Sequence, residues 1–265
     1  MKIKICIVIF VLVLSTFMFA SCQSTQPDEN PGDANSVPQT QNAPENQEQH
    51  ITETPEENTE TNDASGAVTK MLYQGHASFR ITAKNGTIIY IDPSEGTGYD
   101  VPADIILVTH QHDDHNKVKL VTKKDDCTLI THKEALESGV HNTFSVKGIE
   151  IEAVESYNSN HTVKNSVGYI ITVDGIKIYH AGDTSKIDAM DSFAEKSIDY
   201  ALLPCDGVFN MNAKEAAECA KIINAKHNIP IHTKVGELFN LAIAESFDAP
   251  NRLIVNAGEE IVLEK

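Results

Sequence analysis

The chain has 265 residues, 38 of them acidic against 21 basic, and a formal charge of −17. With no basic run to set against that charge, it is a poor fit for a nucleic-acid binder that works through phosphate contacts. Of its five cysteines, Cys6 and Cys22 fall in the first 22 residues and the other three are an odd number without CxxC spacing, which argues against a disulfide framework or a cysteine zinc ribbon as the basis of the fold.

Residues 1–22 begin with Lys2 and Lys4, continue as an apolar run from Ile5 to Ala20, and end on Ala20, Ser21 and Cys22. That is the layout of a secretory signal peptide. Its ending, FASC, resembles the lipobox of bacterial lipoproteins, with Phe19 where leucine is usual. The resemblance implies lipidation at Cys22 and an extracytoplasmic protein anchored to the bacterial cell membrane. An uncleaved signal anchor is the alternative, although the apolar run is short for a spanning helix.

Residues 23–66 hold ten acidic residues, no lysine or arginine, and almost nothing large and apolar. Such a segment cannot bury enough surface to offset its chain entropy, so it is expected to be a disordered acidic tether. Residues 67–265 follow, with 28 acidic and 19 basic residues, and are long enough for one domain with a sizeable core.

Within that domain, TKMLYQG, SFRITAK and TIIYID form an opening meander with a turn at Asn85-Gly86. ADIILVTH reads as a buried strand, and TLIT as another leading into a short helix, HKEALES. Two hairpins follow, one turning at Lys147-Gly148 and one at Asp174-Gly175, and then the buried strand SIDYALLP. Asn212 with Glu215 suggests a capping box opening a helix over 213–226, with Ala216, Ala220 and Ile223 on its buried face. IPIHT is a short strand, and 235–247 has helical character. Hairpins and then strands alternating with helices, in both halves, indicate an α/β arrangement with helices covering sheets.

The chemistry concentrates at residues 110–115, HQHDDH, which hold three of the eleven histidines. His110 and His112 are two apart at a strand's end and project to one side of an extended chain. Asp114 and His115 come beyond them, where the chain is expected to bend into helix. The two pairs suit two adjacent metals of the zinc, iron or manganese type.

HxHxDH after an apolar strand resembles the metallo-β-lactamase-fold hydrolases. The likeness continues through YQGHASFRI, IDPS, YNSNHTVKNSVGYII, IKIYHAGDTS, YALLPCDGVFNMNAKEAAECA and IPIHT. Together these look like the branch of metal-dependent hydrolases related to sugar-acid phosphate lactonases. The resemblance implies a four-layer αββα sandwich with its site at one edge, between two sheets. It implies that His110, His112 and His161 hold one metal, that Asp114, His115 and His232 hold a second, and that Asp183 bridges them.

Two divalent ions, zinc before manganese or iron, would then supply a bridging hydroxide for attack on a small ester, lactone or phosphodiester, with Asp114 orienting it. His76, Asn158 and Asp206 match polar family positions near the pocket and are candidate substrate contacts. His180 reads as structural, His132, His141 and His227 as surface residues, and Cys127, Cys205 and Cys219 as small buried hydrophobes. The sequence departs from better-characterised relatives at His232-Thr233, where they carry His-Tyr, and over 234–246, so a lactonase activity does not transfer. A non-catalytic envelope protein that uses the metals to bind an anionic ligand is the alternative function.

Overall fold

The computed structural model describes residues 66–265, so the expected signal peptide, Cys22 and the tether up to residue 65 lie outside the described residues. The domain opens with three antiparallel strands, β1 (Lys70–Gly75), β2 (Ser78–Thr82) and β3 (Ile88–Ile91). β4 (Ala103–Val108) and β5 (Lys123–Thr131) then add in parallel. After a one-turn helix α1 (His132–Ala135), a two-residue hairpin of β6 (Leu136–Glu137) and β7 (Val140–His141) leads to the second half.

There the plan repeats. β8 (Thr143–Val146), β9 (Ile149–Glu155), β10 (Val167–Val173) and β11 (Ile176–His180) are antiparallel, and β12 (Tyr200–Pro204) and β13 (His227–Ile231) extend the sheet in parallel. Helices α2 (Ala213–Ile223) and α3 (Leu241–Ser246) flank β13 in sequence, and β14 (Glu260–Val262) returns to pair with β1. Both hairpins of the second sheet turn where expected. Lys147 and Asp174 take φ of 51° and 51°, each followed by a glycine at positive φ, as a two-residue turn matching strand twist requires.

The sheets pack face to face. Phe79, Ile81, Ile105 and Leu107 of one meet Ile151, Tyr169, Ile171 and Leu202 of the other in a single apolar layer. Behind the second sheet, α2, α3 and the 3-10 segment Asp188–Lys196 bury Met190, Phe193, Ala216, Ala220 and Ile223 against Tyr179, Ala201 and Leu203. Strands β4 and β12 are therefore buried on both faces, which is why Ile105–Val108 of β4 and the whole of β12 read as apolar runs. Behind the first sheet, Tyr90, Ile106 and Val108 are covered by Tyr99, Val101 and the 3-10 turn Val118–Leu120. The result is an α/β sandwich whose helices cover mainly the second sheet.

Several local expectations need correction. The helix expected over 132–138 stops at Ala135, because the chain turns directly into the β6–β7 hairpin, and His132 is buried there rather than on the surface. No helix follows His115; only the Val118–Leu120 turn forms. Helix α2 ends at Ile223, where Asn224 adopts a left-handed conformation. Asn212 does cap it, but Glu215 accepts the Lys186 N–H instead of closing the box. The helical reading over 235–247 shortens to α3, since Gly236 has a positive φ and the Asn240 side chain caps the helix. Cys205 and Cys219 are buried as expected, whereas Cys127 is half-buried.

One buried charge sets an acid limit on this frame. Asp104 accepts hydrogen bonds from Lys124 Nζ at 2.7 Å, Lys147 Nζ at 2.5 Å and the Ile88 N–H at 2.8 Å. Burial alone would raise its carboxyl, but the two lysines and the Ile88 N–H outweigh it and hold it at about 2. A depressed carboxylate stabilises the fold fully above the ordinary aspartate value of about 4, and that stabilisation is lost as pH falls through the folded value. Asp104→Asn should therefore flatten the decline in urea-unfolding midpoint between pH 4 and pH 2 relative to the unaltered protein.

Candidate metal centre

The parallel strands of both sheets deliver their C-terminal ends to one edge of the sandwich. Asp92 follows β3, Thr109 and His110 follow β4, Asp183 follows β11, Asp206 follows β12, and His232 follows β13. His76 comes from the β1–β2 turn and His161 from the β9–β10 connection. The edge is closed across the sheets by the Val167 N–H donating to Thr109 O at 3.0 Å and Tyr169 Oη donating to Val108 O at 3.0 Å. His76, Asp92 and His232 all hold left-handed backbone, with φ of 57°, 45° and 44°. Non-glycine residues persist in that region only where surrounding contacts impose it.

All seven residues singled out from the sequence as ligands meet here. Their donor atoms fall into three groups, each within 4.8 Å: His110, His112 and His161; His110, His115 and Asp183; and His76, Asp114, His115 and His232. Asp183 lies between them with its carboxylate divided. Its Oδ2 is 4.0 Å from His110 Nε2 and 3.6 Å from His161 Nε2, while its Oδ1 is 3.2 Å from His115 Nε2 and 3.7 Å from His232 Nε2. Two ligands about 2.1 Å from a tetrahedral ion stand about 3.4 Å apart, so these spacings suit shared cations.

Polar atoms inside this cluster lack partners, although a buried polar group without one is costly. Among the described residues, His110 Nε2, His115 Nε2, His232 Nε2 and Asp183 Oδ1 are buried without a hydrogen bond. Even the 3.2 Å approach of His115 Nε2 to Asp183 Oδ1 lacks hydrogen-bond alignment. Four unsatisfied atoms facing a common space, imidazole and carboxylate in type, fit divalent cations of the zinc, manganese or iron class. The thiol of Cys205, next in sequence to Asp206, is pushed up to about 12 by burial and then by Asp206, which leaves it protonated.

The far nitrogens of the histidines are held by the protein. His115 Nδ1 is 2.8 Å from Asp92 Oδ2. The Thr109 hydroxyl donates to the same oxygen at 2.7 Å and lies 3.0 Å from His110 Nδ1, while the Thr109 N–H donates to Asp92 Oδ1 at 2.7 Å. One fully buried carboxylate thus orients a histidine of each cluster. Sequence reasoning gave Asp92 and Thr109 no role; the signals for Asp92 were its place immediately after the apolar run IIYI and its presence in the IDPS motif. His232 Nδ1 is 3.0 Å from Asp206 Oδ2, close enough for an ion contact but off hydrogen-bond alignment.

The electrostatics follow. Burial and the charge on His115 push His110 down to about 3, so its imidazole is neutral and Nε2 is available as a donor. Burial opposes charge on His115, but Asp183 and Asp92 on either side outweigh it and raise it well above its ordinary value. Burial likewise opposes ionisation of Asp183, and His115 and His232 hold it ionised. The His76 hydrogen bond, chiefly, depresses Asp114 against its partial burial. Asp92 and Asp183, on either side of His115, thus favour positive charge between them, of the kind a bound cation would supply.

The remaining candidates have defined places. His76 is buried, with Nε2 3.3 Å from Asp114 Oδ2 and its ring 3.7 Å from that of His232. It also lines a cleft of about 290 Å³ with Asp114, Glu95, Glu237 and Leu238. Asn158 is spent on local structure: Oδ1 accepts from the Asn160 and His161 N–H groups, and Nδ2 donates to Asn210 Oδ1. Asp206 is equally engaged, accepting from the Val208 and Phe209 N–H groups and Asn210 Nδ2 besides facing His232. Both support the loops of His161 and His232 from inside. His180 is structural, with Nε2 2.9 Å from Ala77 O in the opposite sheet.

Comparison with known proteins agrees with this architecture. A model described as beta-lactamase superfamily domain matches residues 70–232. A metal-dependent hydrolase of Thermococcus kodakarensis is 30% identical over 74% of this chain and 96% of its own. A solved protein from Parabacteroides distasonis, described as a metal-dependent hydrolase, has a TM-score of 0.60 at 28% identity, covering 72% of this chain and 93% of its own. A metallo hydrolase from Ignicoccus hospitalis has the same fold, with a TM-score of 0.60 at 20% identity over 75% of this chain and 99% of its own.

Asp92→Asn keeps the size of the side chain but removes the charge that orients His115 and His110. Partners of this kind are worth roughly 10–100-fold in metal affinity. Chelator competition on the purified variant should show a loss of that size. Unchanged affinity would mean that the Asp92 contacts do not tune the centre.

Proposed function

The chain belongs to the beta-lactamase superfamily and is one of its metal-dependent hydrolases, and from that premise we propose a two-metal hydrolase of a small ester, lactone or phosphodiester. The observation that carries the reading is the divided carboxylate of Asp183, one oxygen turned to His110 and His161 and the other to His115 and His232. His110, His112 and His161 would hold one cation, Asp114, His115 and His232 the other, with Asp183 between them. Cations bound by these residues would supply a water of lowered pKa and stabilisation for negative charge developing on a carbonyl or phosphoryl oxygen.

The chain's own residues supply the rest. Asp114 has a half-exposed side chain at the mouth of the cleft, and its Oδ2 is fixed by His76 Nε2. Its role in this reading is to hold its cation and orient the attacking water. Leu238 and the buried His76 form a wall against which a substrate excludes bulk solvent. Nothing in this scheme uses a side-chain nucleophile.

The same reading places the enzyme outside the cytoplasm on a lipid anchor at Cys22. The charged start, apolar run and FASC ending of residues 1–22 support this. Among the described residues, no helix is long and apolar enough to cross a membrane. Cys22→Ala should move the protein from the membrane fraction to the soluble fraction of cells that express the full chain.

Elemental analysis of the purified protein should find about two equivalents of a divalent metal per chain. The loaded protein should hydrolyse at least one of an aryl ester, a γ-lactone and an aryl phosphodiester. His112→Ala and Asp183→Ala should each abolish turnover while the circular dichroism spectrum is retained. Two equivalents of metal with no hydrolysis of any probe would favour an envelope protein that binds an anion without turning it over.

A further inference from the structure

Asp92 organises the histidines of the first sheet, but no single carboxylate reaches both His161 and His232 in the second. His161 sits in the β9–β10 connection and His232 follows β13, with β11 and β12 between them in the sheet. The loop of His161 is tied to that of Asp183, since the Tyr157 N–H donates to Thr184 Oγ1 at 3.3 Å and the Ser185 N–H donates to Tyr157 O at 2.9 Å. The remaining step, across to His232, is made by Asn210 in the loop after β12.

The geometry of that step is directional. Asn158 Oδ1 accepts from the Asn160 and His161 N–H groups, each at 2.8 Å, so its amide NH₂ faces away and donates to Asn210 Oδ1 at 2.9 Å. Asn210 Nδ2 then donates to Asp206 Oδ2 at 2.8 Å, and the same oxygen lies 3.0 Å from His232 Nδ1. Both ends fix the order of donors and acceptors, because a backbone N–H only donates and an ionised carboxylate such as Asp206 only accepts. Turning the Asn210 amide over would set acceptor against acceptor at Asp206 and donor against donor at Asn158. An aspartate at 210 would lack the donor, and a leucine would lack both groups.

We infer that Asn210 is a positioning residue that fixes the loop of His161 against the loop of His232, and so holds one ligand of each cation position in register with the other. It does for the second sheet what Asp92 does for the first, where one side chain orients a histidine of each cluster. It acts only through Asn158 and Asp206. The inference rests on the two-metal reading above, because only there do His161 and His232 serve different cations.

Zinc affinity of the full chain, followed by chelator competition, tests the link apart from turnover. Asn210→Ala removes its centre. Asn158→Ser breaks it from the other side, because a serine hydroxyl still accepts from nearby backbone N–H groups but is too short to reach Asn210. Each variant should weaken both zinc equivalents by about tenfold, the scale of one hydrogen bond to a charged group, with the circular dichroism spectrum retained. The double variant should also lose about tenfold rather than about a hundredfold, since both substitutions remove the same interaction. In the cadmium-loaded protein, each single variant should move both cadmium-113 resonances.

Additive losses in the double variant would overturn the proposal, because the two loops would then act separately. A loss confined to one zinc equivalent, or unchanged affinity in Asn210→Ala, would overturn it as well. If Asn210→Ala loses its fold, Asn158→Ser alone decides, by weakening both equivalents or only one. Zinc uptake by the unaltered chain separates the two readings. Two equivalents with either overturning result would sink the link alone, whereas no uptake would sink both.

Discussion

The centre depends on one buried charge. Asp92 is fully removed from solvent, and an isolated carboxylate there would be expensive. It is tolerated because Thr109 donates to it twice and His115 faces it at 2.8 Å. Those contacts fix the chain just beyond β4, and the rest of the cluster is built outward from that fixed point. His110 is held through the Thr109 hydroxyl, and His115 directly, so two imidazoles point their free nitrogens at Asp183. Had the same position carried an apolar residue, the histidines would have kept their sequence spacing and lost their orientation.

Much of this was legible beforehand for a physical reason. Strands buried on both faces leave continuous apolar runs, two-residue turns leave a residue-glycine pair such as Asp174-Gly175, and ligands at strand ends leave compact motifs such as HQHDDH. These signals are local. The resemblance then extended the set to His161, Asp183 and His232, and the structure brings those residues together at the same edge.

What was not legible is what depends on contacts between distant loops. Asp92 reaches His115 across 23 residues, and no periodicity marks such a pair. Asn158 and Asp206 have polar side chains near a pocket, which reads as substrate contact, yet their atoms are already committed to the loops that carry His161 and His232. His132 reads as a surface residue from its neighbours Lys133 and Glu134, but the tight turn into the β6–β7 hairpin folds it inward. The helical pattern over 235–247 fails in its first half because Leu238 O is needed to accept the His76 N–H, which ties that loop to the site.

The division of the candidate ligands between the two sheets has a mechanical consequence. The first half of the domain contributes His76, His110, His112, Asp114 and His115, and the second contributes His161, Asp183 and His232. Each of the three donor groups draws on both halves, so neither sheet can assemble a complete one alone. A cation held there would act as a rivet through the seam, and its binding energy would count toward keeping the halves docked rather than toward either sheet's own hydrogen bonding. Loss of the ion would therefore loosen the seam first, at the edge where His110 bridges to Ser166, and leave both sheets intact behind it.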